Sequence, residues 1–194
     1  MIIRRRLVCV VGVLLWGLAP AVPAAERQLR WDALDVDARL DADGVVQVAE
    51  RHTMVFTGDW NGGERVFNVR PRQKLEFIGM ERQDATTGAR KPMERMLAPN
   101  DVDEFAWADA RTLRWRSRLP SEPPFANTTL TYVLRYKLSG SLLKNEQSYQ
   151  LDHDFAFPDR AGPIARFSLT LALDPVWQPQ SEVRDRYTAG PLAP

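Results

Sequence analysis

The sequence contains very little cysteine and histidine. Its single cysteine, Cys9, lies within the first 25 residues, and neither His52 nor His153 has a second histidine or cysteine at ligand spacing. We therefore expect neither disulfides nor a zinc site in the rest of the chain. A hydrophobic core must stabilise the protein alone, and 194 residues are ample for one such core.

The chain also lacks a marked excess of either charge. Its formal net charge is +1, and removal of Arg4, Arg5 and Arg6 with an N-terminal leader would change this to −2. Because positive and negative residues are interspersed, no general attraction to nucleic acid or to anionic lipid is expected.

Only the N-terminus has an extended apolar run. Arg4–Arg6 precede the apolar stretch Leu7–Leu18, and the small residues of 21–25 suit a signal peptidase. The stretch is shorter than the ~20 apolar residues of a membrane-spanning helix. We therefore interpret residues 1–25 as a signal peptide, with an uncleaved anchor as the alternative, and expect the remainder to lie outside the cytoplasm.

The region after the leader has the pattern of β-strands, because apolar residues recur with a period of two. Residues Leu34–Leu40 alternate in this way, and Asp43-Gly44 is typical of a tight hairpin turn. A second strand, Val45–Thr57, is predicted to fold back on the first. Glu50 and His52 are in phase with its apolar residues, so both are expected on the core side.

Glycine and proline separate further predicted strands. Residues 58–63 form a glycine-rich loop, whereas residues 92–103 fit either a helical turn or a loop. Residues 130–138 alternate most regularly and are expected to form a central strand. The other predicted strands cover residues 64–69, 75–81, 112–119, 149–157 and 167–173.

Strands and turns at this spacing predict an all-β domain, a two-sheet antiparallel β-sandwich of immunoglobulin-like kind. A closed barrel is the structural alternative. We place the sandwich at residues 26–179, and we interpret residues 180–194 as a polar, proline-containing tail.

The residues that could carry out chemistry form no recognisable active site. Asp152-His153-Asp154 could orient a base, but no nucleophile motif accompanies it, and a strand end explains it equally simply. Asp37, Asp41 and Asp43 supply only part of a calcium-loop signature. The sequence therefore predicts a non-enzymatic domain with no metal and no cofactor.

Three residues are weak candidates for ligand binding. Arg114 and Arg116 belong to a basic stripe that could contact an anionic polymer or an acidic protein, or could be a solvated face neutralised by neighbouring acids. Trp60 lies in the glycine-rich loop and could stack on a sugar ring. Tryptophans in a small β domain are otherwise more often part of the core.

The order of several short motifs resembles that of a known family. A strand with Leu34-Asp35-Val36 leads to an Asp-Gly turn and a Val-x-Glu strand, followed by Phe-x-Gly and a glycine-rich loop ending in arginine. The corresponding segments here are 34–36, 43–44, 48–50, 56–58 and 62–65. In this respect residues 31–179 resemble the exported N-terminal domain of the bacterial domain-of-unknown-function family 2207.

The resemblance implies a predicted membrane protein with an outward-facing β domain followed by transmembrane helices. Membrane attachment would then require a C-terminal region absent from this chain, and residues 180–194 would belong to a truncated last-strand region. The family also has glutamate and arginine at the positions of Glu50 and Arg65. Because a carboxylate turned inward needs a partner, we predict a partly buried Glu50–Arg65 pair that holds the glycine-rich loop to the sheet.

These observations predict a non-enzymatic exported ectodomain, periplasmic or secreted, and tethered to the inner membrane in full-length family members. Its expected partner is another protein or a cell-envelope component. The alternative is a carbohydrate-binding module with coplanar exposed rings from among Trp60, Trp107 and Trp177. A hydrolase would instead need a pocket that unites two of Asp152, His153 and Glu50 with an unpaired hydroxyl group.

Overall fold

Two long strands joined by a tight turn form the first part of the fold. Strand β1 covers Gln28–Leu40, and β2 covers Val46–Gly58. They pair in antiparallel register, with Leu40 opposite Val46. Gly44 has a φ of 82°, which this turn requires and which glycine adopts without a steric penalty. The predicted hairpin is therefore confirmed.

The structure, a computed structural model, describes residues 26–177. The predicted signal peptide, residues 1–25, the last two residues of the predicted sandwich, 178–179, and the predicted tail, residues 180–194, lie outside the described residues. The strands that follow the hairpin are β3 Gly62–Val66, β4 Lys74–Gln83, β5 Arg90–Pro92, β6 Glu94–Arg95, β7 Glu104–Trp107, β8 Thr112–Arg116, β9 Phe125–Ser139, β10 Leu142–Lys144, β11 Tyr149–Leu151 and β12 Phe167–Leu173, and a short 3-10 helix covers Pro175–Trp177.

The larger sheet has six strands in the order β12-β1-β2-β9-β4-β5. Strand β9 lies between β2 and β4, which confirms the prediction that residues 130–138 form a central strand. Pairing is antiparallel except between β1 and β12, which run parallel. The chain reaches β12 by a long connection rather than a hairpin, and this connection permits the parallel direction that the sequence pattern did not reveal.

A second sheet of four strands, β3-β8-β7-β6, packs on one face of the larger sheet, and β10 and β11 form a separate hairpin. Aromatic rings join the two layers. Trp115 on β8 contacts Tyr132 on β9 with ring centroids 5.3 Å apart, and Phe105 on β7 lies 5.6 Å from Phe77 on β4. The all-β sandwich is confirmed, whereas the immunoglobulin-like type stays a prediction.

The strand limits differ from the sequence prediction in several places. Gly62 and Gly63 belong to β3 rather than to the loop before it, and residues 92–103 include the two-residue strand β6. The strand predicted over 149–157 ends at Leu151. Beyond it the Asp154 carboxylate accepts a hydrogen bond from the Ala156 amide, and this local turn replaces strand pairing.

Candidate functional site

A charged pair lies in the centre of the sandwich. Glu50 on β2 and Arg65 on β3 are both fully buried. The Arg65 Nε and Nη2 groups donate to the two Glu50 carboxylate oxygens at 2.9 and 2.8 Å, a bidentate geometry. The structure thus brings together the two residues that the sequence paired, and the pair is completely buried rather than partly buried.

Two further side chains complete the hydrogen bonds of Glu50. His52 Nε2 lies 2.9 Å from Glu50 Oε2, and the Tyr136 hydroxyl donates to Glu50 Oε1 at 2.7 Å. The Trp31 indole donates to His52 Nδ1 at 3.0 Å, so Nε2 carries the ring proton and donates to Glu50. A continuous buried network therefore joins β1, β2, β3 and β9.

The network keeps Glu50 ionised. Burial by itself would raise the pKa of Glu50, but the Arg65 charge and the hydrogen bonds from Arg65 and His52 outweigh it and hold that pKa well below its ordinary value. Burial also acts to lower the pKa of Arg65, and the Glu50 carboxylate reverses this and raises it. The guanidinium lies over the rings of Phe67 and Phe157, at 4.5 and 4.1 Å from their centroids.

His153 lies at the edge of this network. Its Nε2 atom is 3.3 Å from the Tyr136 hydroxyl, so Glu50 and His153 contact the same hydroxyl group. Burial, reinforced by the charge of Arg65, lowers the pKa of His153 to about 4. The hydroxyl between the two residues already donates to Glu50, and the Asp152 carboxylate binds Arg70 and Arg72. Tyr136 therefore does not supply the unpaired hydroxyl that the hydrolase alternative requires, whereas the buried Ser141 hydroxyl, next to Asp152, has no hydrogen-bond partner among the described residues.

Gly62 and Gly63, the last two residues of the predicted glycine-rich loop, are needed for close packing of β3 on β8. A Cβ atom on Gly62 would lie 1.9 Å from the Trp115 carbonyl oxygen, and one on Gly63 would lie 2.5 Å from the Trp115 ring. Any larger side chain would move β3 outward. Because Arg65 follows two residues later on the same strand, this packing also sets the distance between Arg65 and Glu50.

Arg118 fixes the other side of the same loop, a role that sequence analysis missed. Its guanidinium is buried and contacts Asp59, and its Nε atom donates to the Trp60 carbonyl oxygen at 2.9 Å. Asn61 accepts a further hydrogen bond at 3.3 Å. Arg118 continues the two-residue spacing of Arg114 and Arg116, and alternation alone would place it on the solvated face. The strand ends at Arg116, so the alternation no longer applies at residue 118.

A cleft of about 330 Å³ lies beside the loop, and we call it the Trp60 cleft. Buried Trp31 and partly buried Trp60 contribute aromatic surface, and the Arg27 guanidinium lies 4.1 Å from the centroid of the Trp60 ring. Glu64 and Arg114 form an exposed ion pair at 3.0 Å at its margin. The cleft is lined by Arg27, Leu29, Trp31, Trp60, Asn61, Gly62, Gly63, Glu64, Arg114 and Ala161.

The structure brings together two of the three weak ligand-binding candidates. Trp60 and Arg114 both line the Trp60 cleft. Arg116 does not, because its Nε atom donates to the Pro99 carbonyl oxygen at 2.9 Å elsewhere on the sheet. The described ring contacts of Trp107 and Trp177 are with Phe67, Phe77 and Tyr149, and none joins them to each other or to Trp60. By these contacts Trp107 and Trp177 belong to separate aromatic clusters.

Within residues 26–177, no group of three or more histidine, cysteine, aspartate or glutamate side chains is placed to hold a metal ion. No helix within the same residues is long and apolar enough to cross a membrane.

Comparison with known proteins identifies the family. The sequence pattern described as "Predicted membrane protein (DUF2207) N-terminal domain" matches residues 31–191. The chain belongs to this family. The resemblance inferred from the order of short motifs is confirmed, and two of those motifs contain Glu50 and Arg65, which meet in the core of this DUF2207 domain.

Other similarities are weaker. No curated protein matches the sequence. Among solved structures, the DUF2207 domain is similar to one described as a "putative protease" from Parabacteroides distasonis, with 10% identity and a TM-score of 0.37. The match covers 84% of this chain and 34% of that chain, so this chain corresponds to only about a third of the other protein's length. A similarity of this size supports no inference about activity.

Proposed function

We propose that this chain is the non-enzymatic, extracytoplasmic recognition domain of a bacterial envelope membrane protein, exported by its N-terminal signal peptide. We propose further that it binds a segment of another envelope protein in the Trp60 cleft. Family membership supports the association with a membrane protein. The leader supports export, because basic residues followed by a short apolar run are typical of signal peptides.

One observation carries the choice of the cleft: buried Arg118 binds the loop beside it, and the strand that follows this loop is anchored in the core by buried Arg65. Arg118 binds the backbone and side chains of residues 59–61, and Arg65 binds Glu50 in the sheet beneath. A loop held in this way loses little conformational entropy when a partner binds, which favours affinity. Its aromatic surface and its adjacent positive and negative side chains are suited to a polypeptide segment that carries both polar and apolar groups.

Site-specific photo-crosslinking in the encoding bacterium tests this proposal. A benzophenone amino acid in place of Trp60 should give a discrete protein adduct, and the same probe at Leu97, which is fully exposed away from the cleft, should not. Arg118→Met should weaken the adduct, because residues 59–61 lose their hydrogen bonds to the guanidinium.

Equal crosslinking from positions 60 and 97 would contradict a specific site at the cleft. The carbohydrate alternative has a separate readout, which is co-sedimentation of the purified chain with peptidoglycan sacculi. Binding to sacculi that disappears in Trp60→Ala, without any protein adduct from position 60, would favour that alternative.

A further inference from the structure

The strands at the edges of the two sheets differ in how they are protected against pairing with other chains. Strands β5 and β6 have three and two residues, and β3 carries Glu64 and Arg65. Strand β12, the other edge strand of the six-stranded sheet, has seven residues with no charge and no proline. Short length, charge and proline are the usual protections of an edge strand, and β12 has none of them.

The backbone of β12 has a free hydrogen-bonding edge among the described residues 26–177. Leu34 donates to the Arg166 carbonyl oxygen and Asp174 donates to the Leu40 carbonyl oxygen, each at 2.9 Å, so even-numbered residues point their backbone groups towards β1. The N–H and C=O groups of the odd-numbered residues therefore point away from β1. These residues are Phe167, Leu169, Leu171 and Leu173.

The side chains beside this edge are also incompletely covered. Leu171 and Leu173 pair with buried Ala38 and Leu40 of β1 and lie on the core side of the sheet, yet they are 39% and 40% exposed. Val176, just beyond the strand, is 65% exposed. Apolar core-side residues left open next to unpaired backbone groups indicate a surface that accepts another strand.

We propose that this surface binds β12 of a second copy of the chain, in antiparallel register about a two-fold axis at Thr170. In this register Leu169 lies opposite Leu171 of the second copy, and Phe167 lies opposite Leu173. The strand is thus self-complementary in polarity, because every core-side apolar residue faces another. Beyond its ends, Arg166 lies opposite Asp174 of the second copy, so opposite rather than like charges meet there, although within the chain Arg166 is paired with Asp35 and Asp174 with Arg39.

The hydrogen bonds fit the same register. The outward-pointing odd-numbered residues form the hydrogen-bonded pairs, and Thr170, whose backbone groups point to β1, occupies the non-hydrogen-bonded position on the axis. A shift by two residues keeps the two apolar faces in phase but shortens the ladder and separates Arg166 from Asp174. Of the register centred on Thr170 and the two registers shifted by two residues in either direction, the one centred on Thr170 therefore has the most hydrogen bonds. It is also the only one in which Arg166 faces Asp174.

A single-cysteine probe tests the register directly. The two Thr170 Cα atoms would lie about 4.5 Å apart at a non-hydrogen-bonded pair, within the range of a disulfide. With Cys9→Ser to remove the native thiol, Thr170→Cys should form a disulfide-linked dimer under mild oxidation. Gln47→Cys, exposed on the same sheet face but on an interior strand, is the matched control and should remain uncrosslinked.

Sedimentation equilibrium of the purified full chain tests association without a crosslink. We expect a reversible dimer that Thr170→Lys weakens at least about tenfold, because two ammonium groups would meet on the axis. Leu171→Pro should have the same effect, since its N–H points away from β1 and its loss leaves the β1 pairing intact. Gln47→Lys should still dimerise. A monomer at every concentration, or a dimer that neither Thr170→Lys nor Leu171→Pro weakens, would overturn the proposal. An unchanged circular dichroism spectrum would show that each variant is folded.

Discussion

At the scale of single residues, the buried carboxylate of Glu50 is the feature that most constrains the core. A charge removed from water is stable only when hydrogen bonds replace its hydration. Glu50 accepts four such bonds, two from Arg65 and one each from His52 and Tyr136. The donors lie on β2, β3 and β9, so the carboxylate specifies how these three strands meet.

Removal of either charge should therefore destabilise the fold strongly. We expect Arg65→Met and Glu50→Leu each to reduce the free energy of unfolding by about 3–5 kcal/mol, because each leaves the other charge buried without its partner. The double variant should lose less than the sum of the two single losses, and urea denaturation measures all three. Arg114→Met, which breaks an exposed ion pair, is the control and should cost less than about 1 kcal/mol. Strictly additive losses would show that Glu50 and Arg65 are not energetically coupled.

The lowered pKa of His153 predicts a specific pH dependence. Its folded pKa of about 4 lies below the ordinary value of 6.5, so between these values the unfolded chain binds a proton that the folded chain does not. Stability should be constant above pH about 6.5 and should fall as the pH decreases towards about 4, at no more than about 1.4 kcal/mol per pH unit from this group.

Urea denaturation at a series of pH values checks this dependence, with His153→Gln as the comparison. The variant should have a flatter profile between pH 6.5 and 4, the window given by the His153 pKa values. The contribution of Glu50 lies elsewhere, because its lowered pKa makes its stabilisation disappear only as the pH falls below the ordinary value of 4.5. Identical slopes in the two proteins above pH 4.5 would contradict the assignment to His153.

At the scale of secondary-structure elements, β3 has two roles that depend on its first residues. Gly62 and Gly63 allow β3 to approach Trp115 on β8, and this approach positions Arg65 for Glu50 and places Glu64 at the margin of the Trp60 cleft. The glycine pair is thus explained by packing, since neither residue is among those with positive φ. The same short strand connects the core to the candidate binding surface.

Gly63→Ala tests this packing. The added Cβ atom would meet the Trp115 ring at 2.5 Å, and we expect a loss of about 1–3 kcal/mol in the free energy of unfolding, measured by thermal or urea denaturation. Trp115→Phe removes the part of the ring that the new methyl group would contact. The double variant Gly63→Ala, Trp115→Phe should therefore be more stable than additivity of the two single variants predicts. Simple additivity would indicate that the contact with Trp115 is not the cause.

At the scale of the whole molecule, the described sandwich has two surfaces with different properties. The Trp60 cleft has mixed charge and lies beside a loop that buried Arg118 holds in place. The β12 edge is apolar, uncharged and open within the described residues. We propose that the first surface binds a polypeptide partner and the second another copy of the chain, and in that case partner binding and self-association would not compete for the same residues.

Export of the whole chain can be tested by mass. We expect the protein to be released by osmotic shock from a bacterial host, with an intact mass that corresponds to cleavage after Ala24 or Ala25. Substitution of Leu14 and Leu15 by aspartate should leave uncleaved protein inside the cell, because the apolar stretch would be interrupted. Full-length mass in the shock fraction would contradict a cleaved signal peptide, and cytoplasmic retention of the unaltered chain would contradict export.

Much of the fold was predictable because its signals are local. Alternation over residues 34–40, the Asp43-Gly44 turn and the regular strand containing residues 130–138 each depend on neighbours within a few positions. The phase of Glu50 with buried neighbours likewise indicated an inward carboxylate that requires a cation. By contrast, the end of the strand at Leu151 depends on an Asp154 turn that competes with strand pairing.

The sequence by itself therefore determined an all-β domain, its leading hairpin and central strand, and its membership of a family of predicted membrane proteins. Only the tertiary structure showed that β12 pairs in parallel with β1 and that Glu50 accepts four hydrogen bonds. It also showed that the buried Arg118 side chain binds residues of the glycine-rich loop. The physical reason is distance along the chain. Periodicity reports which face of a strand is buried, whereas the identity of the strand or side chain that covers it depends on connections between residues far apart in sequence.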